Sequence, residues 1–158
     1  MSVLRLAVAA YQAIRVHGEQ SYPEECCGVL LGEPGQDGWL VRAAIPARNA
    51  DAGSRMRRYS IAAEELVRIE SEARRLGLAI AGFYHSHPDH PAKWSATDFA
   101  EAHWLGCSYV ITEVAEGKAT VTNSFLLTGS TEEDKHFEQE TIRVEDQASP
   151  NRSQLSPG

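Results

Sequence analysis

At 158 residues the chain is long enough to bury one hydrophobic core and too short for two, so a single domain is expected. A hydrophobic share of 42% and a charged share of 23% are those of a soluble globular protein, and no apolar run reaches the length of a membrane span. The net charge of −7, its acid excess gathered beyond Gly129, offers phosphates no basic face and excludes nucleic acid as an expected partner.

The first residues are apolar, but Arg5 interrupts them, and Leu6, Ala10, Ala13, Ile14 and His17 follow a helical period. They predict an amphipathic first helix ending at Gly18 rather than a leader or an anchor. Cys26-Cys27-Gly28-Val29-Leu30-Leu31-Gly32 reads as a buried strand, and the Pro- and Gly-containing run from Glu33 to Gly38 turns it into a second strand over 39–45. Residues 47–58 are polar and predict a loop, followed by a short strand around Tyr59 and a cap at Ser60. Leu66, Ile69, Ala73 and Leu76 mark the apolar stripe of a second helix that Gly77 ends. Residues 78–84 are apolar on both faces, as in a central strand, and run into His85-Ser86-His87-Pro88. Ser95 to Asp98 opens a third helix continuing through Phe99, Ala102 and His103. Strands follow over 108–114 and 119–127, joined at Glu116-Gly117, and 137–144 adds another. The domain is expected over 1–145, and 146–158, too poor in apolar residues to fold, as a disordered tail.

Chemistry concentrates at the end of the central strand. His85 and His87 are two apart, so on an extended strand both imidazoles face one side and can converge on an ion. Asp98, in the first turn of the next helix, can point back to make a third ligand, the number that leaves catalytic zinc an open position. Ser95-x-x-Asp98 also fits a helix capping box, in which the same side chains satisfy backbone N–H groups. A zinc hydrolase needs a nearby carboxylate for proton transfer, and Glu24 and Glu25 are the candidates. Cys26 and Cys27 are adjacent in a buried strand, where thiols are inert, and three cysteines in all suit a reducing cytoplasm. His90 reads as a solvated loop residue, with a ligand or substrate contact as its alternatives. Trp94 and Asn49 are weighed as a cleft wall and a substrate guide and set aside, and His17, His103 and His136 lack partners at chelating spacing.

Together these residues resemble the motif of the JAMM or MPN-plus zinc metalloproteases. There a glutamate stands three before a strand glycine, and a later segment reads His-x-His-Pro, six residues, then Ser-x-x-Asp. Glu25-Cys26-Cys27-Gly28 fills the first part, and His85-Ser86-His87-Pro88, Asp89 to Trp94 and Ser95-Ala96-Thr97-Asp98 fill the second. The resemblance spans roughly Leu4 to Leu127. It implies an α/β, cytidine-deaminase-like MPN/JAMM fold with a curved, mostly antiparallel sheet flanked by helices. It also implies one Zn2+ per chain on His85, His87 and Asp98, Glu25 rather than Glu24 as general acid/base, and Ser95 as the residue that steadies the oxyanion.

Members of this family cut amide or isopeptide bonds beside the C-terminal Gly-Gly of ubiquitin-like proteins. Short stand-alone members resemble the prokaryotic branch, so the expected substrate is a ubiquitin-like sulfur carrier that is trimmed or relieved of an amino acid. Its tail is expected to dock as an added strand. The alternatives are a broader isopeptidase acting on modified proteins, or a zinc-binding scaffold without catalysis. A zinc deaminase is disfavoured because the Pro-Cys-x-x-Cys ligand segment is missing.

Overall fold

A computed structural model of the chain describes residues 1–146. The tail expected over 146–158 lies, from residue 147 on, outside the described residues. Seven strands and three helices are present among those described: β1 (Val3–Ala7), α1 (Val8–Ser21), β2 (Cys27–Pro34), β3 (Trp39–Ala47), α2 (Ala63–Arg75), β4 (Ala79–Pro88), α3 (Ala96–Ala100), β5 (Ser108–Ala115), β6 (Lys118–Thr128) and β7 (His136–Glu145). The strands lie in the order β1-β3-β2-β4-β5-β6-β7, and β1 also pairs with β7, closing the sheet into a barrel. Antiparallel pairs are in the majority; β1 runs parallel to both its neighbours, and β4 runs parallel to β5.

Two cores cover the two faces of the central strands. On one side α1 places Ala10 and Ile14 against Leu30, Ala81, Tyr84 and Val110. On the other α2 places Ile69 and Ala73 against Val29, Leu31, Ile80 and Phe83. Ile80 and Phe83 share a face although three apart, because the register between β2 and β4 slips at Leu30/Leu31. That slip puts His85 and His87 on the α2 face. Gly28 is required where β2 passes β4, since a Cβ there would fall 2.2 Å from the Tyr84 ring.

Several local expectations change. The chain begins with a strand, not a helix: Leu4 and Leu6 are fully buried at strand spacing, and pairing with β3 and β7 outweighs the helical period that starts at Leu6. α1 continues through Gly18 to Ser21, because the missing side chain lets the helix lie against β4 and β5; a Cβ would sit 3.0 Å from Val114 Cγ2 and 3.4 Å from Ser86 Cβ. Tyr59 is not in a strand, and Ala62, not Ser60, caps α2. No helix of the described residues is long and apolar enough to cross a membrane.

Candidate metal centre

β4 delivers two histidines to one spot. Pairing sets His85 opposite Cys27, and strand alternation sends His85 and His87 to one face and Ser86 to the other. Ser86 Oγ accepts the Cys26 N–H at 2.8 Å, tying the strand end to the start of β2. Both imidazoles are buried, with their Nε2 atoms 3.2 Å apart. Asp98 Oδ2 lies 3.1 Å from His87 Nε2 and 3.3 Å from His85 Nε2.

Asp98 arrives on α3, whose capping box is complete. Ser95 N–H donates to Asp98 Oδ2 at 2.9 Å, and Asp98 N–H donates to Ser95 Oγ at 3.0 Å. The two readings of Ser95-x-x-Asp98 therefore hold together: one carboxylate oxygen caps the helix and faces the imidazoles. Ser95 Oγ is an acceptor in the cap, which leaves its own O–H to donate. It stands at the wall of a cleft of about 480 Å³, with Pro23, Met56, Arg57, His87 and His90.

Glu25 reaches the same spot from the start of β2. Its N–H donates to the Arg55 carbonyl at 2.7 Å and its own carbonyl accepts from Asn49 Nδ2 at 3.1 Å, so the segment 48–62 grips it from both sides. Asn49 also donates to the Arg58 carbonyl and accepts from the Asp51 and Ser60 N–H groups, which makes it a brace of this segment. Glu25 is 2% exposed, and its Oε1 has no hydrogen-bond partner. Burial, with the nearby charges of Asp98 and Asp51, pushes its carboxyl up to about 9. Glu24 points outward and pairs with Arg55 at the surface.

The donors fit a cation. His87 Nδ1–H donates to the Pro91 carbonyl at 2.7 Å, which leaves Nε2 as a lone pair facing the Asp98 carboxylate, an arrangement two acceptors hold only with a proton or a cation between them. Burial lowers the His85 pKa against the pull of Asp98 and so favours the neutral ring a metal needs. For Asp98 burial works against the charge, but the neighbouring His85 and His87 rings and the Ser95 N–H outweigh it and hold the carboxyl far below its ordinary range. His85, His87 and Asp98 together are able to hold a metal ion.

Two contributors are absent from the sequence reading, and His90 differs from its leading expectation there. Tyr59 stacks on His85 at 4.5 Å. Lys135, buried, donates to the Phe99 and Ala102 carbonyls at the end of α3. His90 is half-buried and stacked on His87 rather than solvated. Neither Tyr59 nor Lys135 has a local sequence signal, since their contacts join distant segments. Trp94 packs on Phe99 and Phe137. Burial pushes the Cys26 thiol up to about 12 and raises Cys27 as well, so neither supplies a thiolate. His17 meets the Tyr84 hydroxyl, and His103 and His136 pair with Glu132 and Glu138, all away from the centre.

Residues 7–128 match the family model described as prokaryotic homologs of the JAB domain. A desampylase from Haloferax volcanii is 39% identical over 114 residues, which make up 70% of this chain and 80% of that protein. A solution structure of a Desulfitobacterium hafniense protein superposes with a TM-score of 0.77 at 28% identity, over 91% of this chain and 94% of that one. A second solution structure, of a Salinibacter ruber protein, gives 0.68 at 37% identity, over 90% and 92%. The matched span runs from the last residue of β1 to the end of β6 and contains Glu25, His85, His87, Ser95 and Asp98, and the chain belongs to the family of prokaryotic JAB-domain proteins.

Proposed function

We propose that this chain is a zinc-dependent hydrolase of amide or isopeptide bonds next to the C-terminal Gly-Gly of a ubiquitin-like sulfur carrier, acting in the cytoplasm. The convergence of His85 Nε2, His87 Nε2 and Asp98 Oδ2, with the buried Glu25 carboxyl beside them, carries this reading. Membership of the JAB family and the relative named desampylase, a name that denotes removal of a modifier, support the coarser part of it, an isopeptidase-type hydrolase.

One zinc per chain, held by His85, His87 and Asp98, would supply Lewis-acid polarisation of the scissile carbonyl and make water acidic enough to ionise near neutral pH. Glu25 takes the proton from the attacking water and gives it to the departing nitrogen as the C–N bond breaks. The Ser95 O–H donates to the carbonyl oxygen as it gains negative charge. Tyr59 and the Pro91 carbonyl keep the two imidazoles in orientation.

β2 and β4, at whose ends the site lies, are each paired on both sides, so the tail finds no free edge on them. It runs instead along the segment 48–62, which already brackets Glu25. Narrow glycines suit this passage, so replacing the carrier's penultimate Gly with Leu abolishes cleavage.

The test is mass-spectrometric. A carrier extended past Gly-Gly by one cysteine is incubated with the protein, with and without a zinc chelator, and with Glu25→Gln. Cleavage after Gly-Gly that chelator and variant both abolish is the expected result. Cleavage surviving either one refutes the mechanism, and zinc binding without cleavage shifts the substrate to protein conjugates of the carrier, the broader isopeptidase reading.

A further inference from the structure

The Glu25 carboxyl has a second set of neighbours. One of its oxygens, a nitrogen of His87 and a nitrogen of His90 lie within 4.8 Å of one another, overlapping the set formed by His85, His87 and Asp98. His90 is fixed as a ligand would be: its ring stacks on His87 at 4.1 Å and 22°, and its Nδ1–H donates to the Pro88 carbonyl at 2.8 Å. That bond selects the neutral tautomer with its lone pair on Nε2, just as the Pro91 carbonyl does for His87. Glu25 adds a buried oxygen without a partner, and the cleft that His90 lines with His87 and Ser95 gives a cation access from solvent.

We propose that Glu25 and His90 form a second, weaker zinc position beside the first, and that filling it at high zinc stops catalysis by removing Glu25 from proton transfer. The inference rests on the reading of His85, His87 and Asp98 as the primary zinc site. His87 has one free nitrogen, so with the first ion in place the second has two protein donors and completes its shell with water from the cleft. Imidazole and carboxylate are donors zinc accepts, and the smaller number of them makes the position the weaker one. The protein's activity then has an optimum in zinc concentration.

The test titrates zinc into the metal-free protein by calorimetry, in parallel with hydrolysis of the extended carrier. The wild type takes up one tight and one weak zinc, and its rate rises with the first and falls with the second. His90→Gln keeps the tight zinc and, with rates taken relative to its own maximum, needs about tenfold more zinc for inhibition. Glu25→Gln, followed by binding alone, keeps the tight ion and loses the weak one. A single zinc in the wild type, or inhibition unchanged in His90→Gln, overturns this inference and leaves the proposed function standing. Absence of tight zinc overturns the proposed function, and this inference with it.

Discussion

Glu25 stands in a place that costs the metal-free fold stability. With its carboxyl raised from 4.5 to about 9, the folded protein prefers it protonated; its contribution is intact below the lower value and is lost as pH climbs through the upper one. His85 and His17, lowered by burial, act in the opposite direction around their ordinary range, so the difference between variant and wild type is what isolates Glu25. Without metal, the unfolding free energy of Glu25→Gln gains on that of the wild type as pH rises from about 5 to about 8, by about 1–3 kcal/mol, read in denaturant melts. A constant difference across that range refutes the account. Ser95→Ala tests another residue at this scale. Its hydroxyl, aimed at a developing charge, is worth about 3 kcal/mol of barrier, so the rate falls by about a hundredfold. Zinc content measured on the same sample stays the same, and equal loss of both contradicts the role. Glu25, His85, His87, Ser95 and Asp98 are legible in the sequence because two short spacings bring them forward, whereas the stacking of Tyr59 and His90 is not.

Among the elements, α3 is the one that cannot stand alone. It has five residues and bears Asp98, and Lys135 from the segment before β7 holds its last carbonyls while pairing with Glu132 at 2.9 Å and lying over the Phe99 ring. Lys135→Met removes the side-chain donor from the Phe99 and Ala102 carbonyls and loosens the helix, so metal affinity by competition with a chelator drops by about 10–100-fold. The melting temperature measured with excess zinc falls far less than that without it. α1 offers the converse case, an element whose fit depends on an absence. Gly18→Val drives a side chain into Val114 and Ser86 and destabilises the protein by about 1–3 kcal/mol, read in a denaturant melt. The helices α1 and α2 and strands β2 to β7 are readable from periodicity and turn residues. β1 and the β2/β4 register slip are not, because both are fixed by partners remote in the chain.

At the scale of the molecule, the barrel wall contains a buried hub. Glu140 on β7 accepts from Ser2 Oγ, and from Ser108 Oγ on β5 and Ser124 Oγ on β6, each at 2.6 Å. Glu140→Ala strands these hydroxyls at a cost of about 1–3 kcal/mol for each that water does not reach. The melting temperature falls while the site, whose ligands come from β4 and α3, keeps its zinc stoichiometry; loss of zinc at temperatures where the fold persists contradicts this separation. The closing pair β1/β7 has a further consequence, which concerns how the protein is born. On the ribosome β1 emerges first and β7 last, and before then β1 has partners at two positions on β3. Leu4 and Leu6 wait from the emergence of β1 until that of β7 for their second partner strand, so the wall seals after translation has passed Glu145, and a nascent chain stalled short of it remains open for a chaperone to hold.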